Sequence, residues 1–389
     1  MDAAESPPGG GSGPAVDSCA VIGTGLIGGS IALAAADTGV LVQVWDRDGD
    51  AARAVAARSD RIAIAASAAD AVRTVDLVVL AIPVESIPGL VRELQSSLRM
   101  HTVVTDVGSI KFDLQVQIEG LPSVPNSDFT GDWSPKNFVG GHPMAGRARG
   151  GSESVDGRLF HGATWILAPT EQTSTDAFAL VRRFVASLGA HVLAVSPEIH
   201  DRLVGVVSHL PQLLATELMT LAEQQADDDA EVALAMAAGG FRDVTRIAAS
   251  DPALWVGILR ANRAAVLSAL DAYVERLTEL RAALETSDWD AVGARLAAGR
   301  AARDRLPTKK RATNVVDLAV PIDDRPGMVA RVATALGEAA VNIEDLHLQH
   351  ADEVRAGAIV VTVEAAAEER ARGALERRGL IAHRAPRTG

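Results

Sequence analysis

The sequence predicts an α/β protein with three folded domains, and three observations lead to this prediction. Between residues 18 and 169, short β-rich runs alternate with helical stretches, which favours a doubly wound parallel sheet. From residue 197 to about 305, a long Ala- and Leu-rich helical periodicity replaces the strand pattern and predicts an all-helical domain. After residue 315 the predicted elements follow the order βαββαβ, which describes a small two-layer domain.

The predicted domain boundaries follow these changes of pattern. Residues 1–16 are rich in Gly, Ser, Pro and Ala and are expected to form a disordered tail. The first domain is assigned to residues 17–196, the helical domain to 197–306 and the C-terminal domain to 315–389. A basic segment, residues 307–314, joins the last two and is expected to be an exposed linker. A chain of 389 residues is long enough for two or three domains.

Each strand is predicted from a short apolar run bounded by turn residues. In the first domain the predicted strands are Cys19–Gly23, Val40–Asp46, Ile62–Ile64, Leu77–Ala81, Val103–Asp106, Thr164–Ala168 and His191–Val195. A helix is predicted from Thr170 to Leu188. In the C-terminal domain the predicted strands are Val315–Val320, Ile343–Gln349, Ala358–Glu364 and Leu380–His383, and the predicted helices are Gly327–Ala339 and Ala367–Arg378.

Composition and charge exclude several classes of function. The net charge of −13 argues against a surface that binds nucleic acid. Cys19 is the only cysteine, so no internal disulfide and no metal site are predicted, and its apolar neighbours predict a buried, unreactive thiol. No run of about 18 apolar residues indicates a membrane span, and no basic region followed by an apolar one indicates a signal peptide. A cytoplasmic protein is therefore expected.

A glycine-rich turn follows the first predicted strand and opens a helix, which is the context that a dinucleotide-binding motif requires. Gly23 permits the tight turn, Gly25 lets the backbone approach a pyrophosphate, and Gly28 lets helix and strand pack closely. The N-terminus of the helix, at Leu26 and Ile27, offers N–H groups to the phosphates. The motif predicts a Rossmann-type domain that binds a dinucleotide.

Asp46 ends the second predicted strand, 18 residues after the last glycine of the motif. A carboxylate there can accept hydrogen bonds from the adenosine ribose hydroxyls and repels a 2′-phosphate, so NAD is favoured over NADP. Arg47 follows directly and can soften that preference. Pro83 ends the strand on the far side of the expected cofactor crevice, where the backbone is predicted to lie near the nicotinamide ribose.

Two polar residues mark the expected reacting end of the site. Ser109 follows the strand Val103–Asp106, at the edge where ligands bind in open α/β sheets, although a serine there can also cap the next helix. His142 stands between Gly140-Gly141 and Pro143, and we expect it on a rigid loop. A histidine beside a nicotinamide suggests hydride transfer from a substrate whose hydroxyl proton the imidazole receives.

Five segments of the chain carry a resemblance to a known family. They are Gly-Thr-Gly-Leu-Ile-Gly-Gly-Ser (23–30), Asp-Val-Gly-Ser-Ile-Lys (106–111), Gly-His-Pro-Met-Ala-Gly (141–146), Val-Ser-His-Leu-Pro (207–211) and Gly-Phe-Arg-Asp-Val-Thr-Arg-Ile-Ala (240–248), with Ser250-Asp251-Pro252 and Trp255 after the last. In this order and spacing, from about residue 19 to residue 307, the chain resembles the prephenate/arogenate dehydrogenase family.

The resemblance implies oxidative decarboxylation. NAD takes a hydride from C4 of a cyclohexadienol ring, the C1 carboxylate leaves as carbon dioxide and the ring becomes aromatic. Prephenate then gives 4-hydroxyphenylpyruvate, in tyrosine biosynthesis, and arogenate gives tyrosine. His142, neutral at working pH, accepts the C4 hydroxyl proton, and Ser109 hydrogen-bonds that hydroxyl or orients His142.

The resemblance also assigns substrate-binding residues to the predicted helical domain, so that residues of both domains contribute to the active site. Arg246 is expected to bind a substrate carboxylate bidentately, and Asp243, one turn earlier, to pair with Arg246 and hold its rotamer. Ser208, His209 and Gln212 are expected in the same pocket, with His209 equally open to a structural role as a buried histidine.

Two departures from the family pattern leave the substrate open. Family members often carry a second histidine after the Ser-His-Leu-Pro run, where this chain has Gln212, which can donate to a carboxylate but supplies no charge. After Gly146 the family commonly has a serine or threonine and then an acidic residue, where this chain has Arg147-Ala148-Arg149. Prephenate is the predicted substrate and arogenate the alternative, because nothing in the sequence settles the substrate side chain.

Two functions of other kinds are alternatives to this prediction. A β-hydroxyacid dehydrogenase shares the plan of sheet and helical domain, but such enzymes use a lysine of the helical domain as acid/base group, and residues 197–305 contain none. A non-catalytic amino-acid sensor is the other possibility. The presence of both His142 and Ser109 argues against it.

The C-terminal domain carries a resemblance of its own. Asp323-Asp324-Arg325-Pro326-Gly327-Met328, followed by Val341-Asn342-Ile343-Glu344-Asp345-Leu346, resembles an ACT domain, a module that binds amino acids between paired copies. Gly327 shapes the loop before the helix, and Asn342 and Ile343 lie at the corresponding ligand-contacting edge. The resemblance implies feedback regulation by an aromatic amino acid, with tyrosine the first candidate effector.

Apolar segments of the helical domain, such as Leu213-Leu214-Ala215 and Val232-Ala233-Leu234, lack polar exteriors. Pairing of two helical domains would cover such surface, so a homodimer is predicted, in agreement with the family resemblance.

Overall fold

The computed structural model describes residues 16–122, 132–145, 154–224, 236–305, 315–323, 327–350 and 356–385. Predictions for the tail up to residue 15, for the linker 307–314, for Arg147-Ala148-Arg149 and for Val232-Ala233-Leu234 fall outside these residues. The chain divides into two compact units. The first comprises the described parts of 1–108, 114–195 and 316–389, and the second those of 109–113 and 196–315.

The first unit contains an eight-stranded sheet, whose spatial order is β3-β2-β1-β4-β5-β6-β7-β8. Its strands are β1 Ser18–Ile22, β2 Leu41–Trp45, β3 Ile62–Ile64, β4 Leu77–Leu80, β5 Val103–Asp106, β6 Phe138–Pro143, β7 Thr164–Ala168 and β8 His191–Ala194. Neighbouring strands are parallel except β6 and β7, which are antiparallel. The predicted doubly wound α/β fold is confirmed.

Helices connect these strands and cover the sheet. They are α1 Leu26–Asp37, α2 Gly49–Ala56, α3 Ala68–Val72, α4 Ile87–Leu94, α5 Phe112–Glu119 and α6 Thr175–Ser187. The last begins five residues later than the prediction from Thr170, because the Ser174 hydroxyl accepts a hydrogen bond from the Ala177 N–H and so caps the helix there.

The core of the sheet follows from the apolar runs in β1 and β4. Alternate residues of a strand point to opposite faces. In β1, Cys19 and Val21 join one apolar cluster while Ala20 and Ile22 join another, and all four are fully buried. Both faces of the sheet are therefore covered. Burial, and then the charge of Asp76, raise the pKa of Cys19 to about 12, so its thiol is unreactive in the folded protein, as predicted.

The described parts of the second unit between residues 197 and 303 are mainly helical, as predicted. It contains α7 Pro197–Val204, a π-helical turn Gly205–His209, α8 Leu210–Gln224, α9 Gly239–Thr245, a 3-10 turn Arg246–Ala249, α10 Pro252–Ala261, α11 Arg263–Glu285 and α12 Trp289–Arg303. No single described helix has both the length and the apolar composition of a membrane span. The helices Pro252–Ala261 and Arg263–Glu285 meet both criteria only when they are taken as a pair, and a bend of 93° separates them.

The C-terminal module follows the predicted order βαββαβ. Its elements are β9 Val315–Asp323, α13 Met328–Glu338, β10 Asp345–His350, β11 Ala356–Glu364, α14 Glu368–Arg377 and β12 His383–Ala385, and its sheet has the order β10-β11-β9-β12. The last strand begins at His383, not Leu380 as predicted, because the apolar side chains of Leu380 and Ala382 are buried in the core before the strand starts.

The sequence predicts this module as a separate domain, whereas in the structure it forms one compact unit with the eight-stranded sheet. Buried residues of both belong to one hydrophobic cluster, and α13 packs against β8 and α6. The contact includes Gly327, which has φ +88° and donates its N–H to the Thr173 carbonyl oxygen at 3.4 Å. A Cβ on Gly327 would overlap the Glu171 backbone.

Candidate active site

The glycine-rich turn joins β1 to α1 through close backbone contacts. Gly23 has φ +94°, a conformation that favours glycine, and its N–H donates to the Trp45 carbonyl oxygen at 2.8 Å. A Cβ on Gly28 would overlap the carbonyl oxygen of Gly23 and would stand 2.7 Å from the Cβ of Ala81. These two glycines therefore bring α1, β1 and the end of β4 together, as the motif predicts.

Gly25 has a different environment. A Cβ at this position would meet nothing within 4 Å, so the backbone faces open space. Gly25 is also the N-cap of α1, and no side chain caps this helix, which begins at the half-buried Leu26 and Ile27. Uncapped N–H groups at the start of a twelve-residue helix, next to an open backbone, form a cradle that fits a pyrophosphate.

Asp46 lies directly after β2, and its carboxylate braces the glycine-rich turn. Oδ2 accepts hydrogen bonds from the Thr24 N–H at 2.6 Å and the Thr24 hydroxyl at 2.9 Å, while Oδ1 accepts from the Asp48 N–H at 2.9 Å. The position of Asp46 in the sequence predicts ribose binding only, and the contact with Thr24 is seen only in the structure. Arg47 and Pro83 are exposed, at the ends of β2 and β4. The residues present at this edge of the sheet fit a dinucleotide.

His142 lies on β6 and not on a loop, so that part of the prediction is wrong. In the antiparallel pair with β7, His142 stands opposite Ile166, and it is half-buried between buried Gly141 and Pro143. The strand was missed because Gly-Gly and Pro are typical of turns. Gly141 is needed there because a Cβ would stand 2.6 Å from the Asp106 carbonyl oxygen.

Asp106 is a fully buried carboxylate to which the sequence analysis gave no role. Its Oδ1 accepts the N–H of Gly141 at 3.0 Å, and its Oδ2 accepts the N–H of Gly108 at 2.7 Å. Asp106 thereby ties the end of β5 to the residue that precedes His142. An acidic residue that ends an apolar strand two positions before a glycine was the signal available in the sequence.

Ser109 is half-buried and belongs to the second unit. The alternative that Ser109 caps the next helix is not what the structure shows, because another side chain takes that place. Asp201 accepts the N–H of Lys111 at 2.8 Å with Oδ1 and the N–H of Phe112 at 2.9 Å with Oδ2. Asp201 therefore caps α5 and holds the segment that carries Ser109 to α7.

His209 ends the π-helical turn between α7 and α8. Such turns insert an extra residue into a helix and are frequent at functional sites. The His209 side chain is buried, and its ring stacks edge-to-face with Trp255 at a centroid distance of 5.9 Å. Burial lowers the pKa of His209 to about 4, although the charge of Asp201 opposes this effect; His200 adds to the lowering. His209 is therefore neutral near pH 7.

Ser208 and Gln212 lie on either side of His209 along the chain. Ser208 is half-buried on the same π-helical turn, and Gln212 is 5% exposed on the first turn of α8. Among the described residues, Oε1 of Gln212 has no hydrogen-bond partner. A buried acceptor in this state favours a ligand that donates a hydrogen bond.

Arg246 begins the 3-10 turn that packs against α8, and its side chain is exposed. The expected ion pair with Asp243 does not occur among the described residues, and both side chains are exposed. The prediction assumed continuous α-helix. Since α9 ends at Thr245 and the backbone tightens into a 3-10 turn at Arg246, the i,i+3 spacing of an α-helix is not kept.

The low pKa of His209 predicts a stability that depends on pH. Between about pH 6.5 and 4, an unfolded chain binds a proton at this histidine that the folded protein does not. The free energy of unfolding should therefore fall as the pH is lowered through this window, by up to about 3 kcal/mol. Urea unfolding across the window measures it, and His209→Gln should flatten the dependence. Equal slopes in both proteins would contradict the assignment.

Comparison with known proteins follows the division into two units. Residues 31–194 match the family model "Prephenate dehydrogenase, nucleotide-binding domain", and residues 196–298 match "Prephenate dehydrogenase, dimerization domain". Over 340 residues the chain is 30% identical to a prephenate dehydrogenase of Bacillus subtilis, covering 85% of this chain and 88% of the relative. The chain belongs to the prephenate dehydrogenase family.

Solved structures of the prephenate dehydrogenase family have the same fold. The Aquifex aeolicus enzyme, solved with hydroxyphenyl propionate and NAD+, has a TM-score of 0.63 and 27% identity, over 75% of this chain and 98% of that one. The arogenate dehydrogenase of Synechocystis has a TM-score of 0.63 and 26% identity, over 74% and 99%. Membership makes this chain an NAD-dependent oxidoreductase.

The second family match accounts for the surface of the helical unit. Of the 23 residues in α11, only Val266 and Ala269 are buried, while Leu267, Val274 and Leu277 are exposed. Exposed apolar side chains along a helix are typical of a surface that another chain covers. A dimerization domain in this family agrees with the predicted homodimer.

Proposed function

We propose that this chain catalyses the NAD-dependent oxidative decarboxylation of prephenate to 4-hydroxyphenylpyruvate in tyrosine biosynthesis. The observation that carries the proposal is His142, half-buried on β6 and held by Asp106 through the neighbouring Gly141, in a chain of the prephenate dehydrogenase family. A rigidly held imidazole is suited to remove a hydroxyl proton while hydride leaves the same carbon. NAD, when bound, supplies the hydride acceptor.

His142 accepts and then returns the one proton that is transferred in this reaction. The imidazole takes the proton of the C4 hydroxyl as the hydride departs, and the C1–carboxylate bond then breaks to release carbon dioxide. The electron pair of that bond completes the aromatic ring, and His142 can return its proton to the phenol oxygen. Ser109 hydrogen-bonds the C4 oxygen or orients His142. Because aromatisation drives the reaction, the protein's task is to orient the reactants and to hold this one proton.

The helical unit supplies the groups that bind the substrate. Arg246 offers a planar guanidinium for bidentate binding of a carboxylate, and its exposure on the 3-10 turn leaves the side chain accessible. Ser208, His209 and the Gln212 amide are neutral donors for the second carboxylate. Among the described residues Asp243 forms no ion pair with Arg246, so its carboxylate would affect substrate binding only through its negative charge.

Gly23, Gly25 and Gly28 would hold NAD through the backbone cradle described above, and the start of α1 at Leu26 and Ile27 would offer N–H groups to its pyrophosphate. Asp46 keeps Thr24 in place and offers its carboxylate to the adenosine ribose. Its charge opposes a 2′-phosphate, so NAD is preferred to NADP, with Arg47 tempering the preference. Pro83, exposed just after β4, would lie near the nicotinamide ribose if NAD binds in this way.

Arogenate is the second candidate substrate, and Gln212 is the observation that favours it. Arogenate carries an ammonium group where prephenate has a keto oxygen, and the buried Oε1 of Gln212 lacks a partner among the described residues. An ammonium could donate to that oxygen. A keto oxygen could not, and would have to use the amide nitrogen instead.

The formation of NADH with each substrate, followed by absorbance under identical conditions, tests the proposal. Prephenate should be oxidised with the higher kcat/KM. A higher value for arogenate would assign the chain to the second candidate. Gln212→Leu should lower kcat/KM for arogenate more than for prephenate if the amide oxygen binds the ammonium. Absence of NADH formation with both substrates would overturn the proposed function.

We further propose that residues 315–389 form an ACT-like module through which tyrosine inhibits the enzyme. The βαββαβ order supports this, as does a pocket where the module meets the sheet domain. Its lining includes apolar groups, a cation and an anion, a composition that suits an amino acid: Phe178, Arg182, His191, Ile343, Glu344 and Leu346.

The three predicted effector residues have different surroundings. Asn342 is exposed and donates from Nδ2 to the Glu344 carboxylate at 2.7 Å, whereas Ile343 is 4% exposed and belongs to the core. Gly327 is packed against Glu171 and Thr173, so it shapes the contact between module and sheet domain and does not itself offer an open binding surface. Effector contacts are therefore assigned to Asn342 and the polar lining of the cavity.

Arg182→Ala should weaken inhibition by tyrosine about ten-fold or more, because it removes a charge-assisted contact to the amino-acid carboxylate. Without tyrosine, kcat should be unchanged. Arg183→Ala is the matched control, since Arg183 is exposed on the same helix and outside the cavity lining. Equal tyrosine sensitivity in the two variants would place the effector elsewhere, and an uninhibited wild-type enzyme would refute regulation by tyrosine.

A further inference from the structure

The second unit contains a buried polar network whose central residue, Asn262, has no role in the proposed mechanism. Asn262 is 5% exposed and occupies the bend between α10 and α11. Its Nδ2 lies 2.8 Å from the main-chain carbonyl oxygen of Asp201 and 3.1 Å from Nδ1 of His209. One amide nitrogen thus contacts two separate elements.

The chemistry of these two contacts determines the protonation of His209. A carbonyl oxygen only accepts hydrogen bonds, so the Asp201 contact requires the amide nitrogen, and not the amide oxygen, at this position. That nitrogen carries two hydrogens, one for each contact. Nδ1 of His209 must then accept a hydrogen bond and be unprotonated. In a neutral imidazole the remaining hydrogen is on Nε2.

Asp201 is held firmly enough to enforce this orientation. Its Oδ1 accepts hydrogen bonds from the Lys111 N–H at 2.8 Å and from Nδ1 of His200 at 2.6 Å, and its Oδ2 accepts from the Phe112 N–H. Rotation of the Asp201 peptide away from Asn262 would disturb these contacts. The same residue therefore holds the segment that carries Ser109 and the amide that faces His209.

Because His209 is buried, its tautomer determines which hydrogen bonds its ring can make. Burial lowers the pKa of His209 to about 4, Asp201 opposes this effect and His200 adds to it, so the ring is neutral in the working range. A neutral ring presents either a donor or an acceptor at Nε2, depending only on its tautomer. Among the described residues, Nε2 has no hydrogen-bond partner, and Trp255 packs against the ring.

We propose that Asn262 is a positioning residue that locks His209 in the tautomer protonated at Nε2, so that His209 presents a fixed hydrogen-bond donor to a carboxylate oxygen of the substrate. The inference rests on the proposed function for the identity of that substrate. The new element is that His209 recognises the substrate as a neutral hydrogen-bond donor. Asn262, 53 positions away in the chain, determines which ring nitrogen donates. In the proposed function, the charged contact with a substrate carboxylate is assigned to Arg246.

The tautomer can be measured without any turnover. Long-range ¹H–¹⁵N correlation spectra of the uniformly labelled full-length protein distinguish protonated from unprotonated ring nitrogens, and His209→Gln assigns the signal among nine histidines. Near neutral pH, Nδ1 of His209 should be unprotonated and Nε2 protonated. The opposite pattern would overturn the proposal. If the pattern is as stated but neither substrate is oxidised, the proposed function fails while the tautomer assignment stands.

Asn262→Asp is nearly isosteric and reverses the hydrogen bond. A carboxylate accepts a hydrogen bond from Nδ1–H, so the tautomer should switch and the pKa of His209 should rise. KM should increase about ten-fold, which corresponds to the loss of one hydrogen bond to the substrate, and kcat should be less affected. Asn137→Asp is the matched control. Asn137 is also buried and donates to a main-chain oxygen, that of Met100 at 2.8 Å, but it belongs to the first unit. It should leave the His209 signal unchanged.

Two substitutions of His209 keep the proposal testable if Asn262→Asp does not fold. The amide nitrogen of Gln can occupy the position of Nε2, whereas that of Asn reaches only the position of Nδ1. His209→Gln should therefore retain a KM about ten-fold lower than that of His209→Asn, with similar kcat. Equal KM values in the two variants, or an unchanged tautomer in a folded Asn262→Asp protein, would refute the role of Asn262.

Discussion

Replacing His142 by asparagine should lower turnover by roughly two to four orders of magnitude, which is the usual contribution of a general base. Asparagine is polar and has the same branching at Cγ as histidine, but its amide cannot accept the C4 hydroxyl proton. Because β6 is held by pairing with β7 and by the Asp106 contact to Gly141, the strand should keep its place. Steady-state NADH formation gives kcat, and titration gives the affinity for NAD.

The matched control is His101→Asn, which changes an exposed histidine of the same unit. It should leave kcat unchanged, and both variants should unfold at the wild-type temperature. Affinity for NAD should also be unchanged in His142→Asn, since the cradle of Gly23, Gly25 and Gly28 is untouched. Turnover near the wild-type value in a folded His142→Asn protein would remove His142 from the mechanism.

Replacing Arg246 by alanine should raise KM about 10- to 100-fold, because a hydrogen bond between a charged donor and a carboxylate contributes about 1.5 to 3 kcal/mol. The effect on kcat should be smaller, since the carboxylate is bound in both the ground state and the transition state. Arg246→Lys should recover part of the affinity but not all of it. Lysine keeps the charge and loses the bidentate geometry.

Arg242→Ala is the control for a general loss of positive charge. Arg242 is exposed on α9, four residues before Arg246, and its Nε donates to the Ala237 carbonyl oxygen at 3.0 Å. Its removal should change KM little. If Arg242→Ala and Arg246→Ala raise KM equally, the charge of the whole segment attracts the substrate and no specific contact at Arg246 exists.

Local patterns in the sequence were sufficient for much of the fold. The apolar runs of β1 and β4 predict strands buried on both faces, and alternation of strands with helices predicts the parallel sheet. Gly23 and Gly28 indicate that α1 approaches the sheet closely, because only a residue without a Cβ fits at these positions. Each of these signals depends on residues near one another in the chain.

Other features depend on contacts between distant residues, and sequence analysis missed them. Gly140-Gly141-His142 reads as a loop in the sequence, because the close approach that requires Gly141 is made by the backbone of Asp106 on the neighbouring strand β5. The pair of Asp243 and Arg246 was predicted from helical spacing that the 3-10 turn does not keep. The π-helical turn at Gly205–His209 has no distinctive sequence pattern of its own.

By itself, the sequence determined the fold class, the cofactor turn and the residue types available for chemistry, because periodicity, glycine placement and motif order are local properties. Only the tertiary structure decided which buried groups hold those residues. Asp106 reaches Gly141 over 35 positions, Asp201 reaches Lys111 over 90, and Asn262 reaches Asp201 over 61. A buried polar group must find a hydrogen-bond partner, but folding of the whole chain determines which one is within reach.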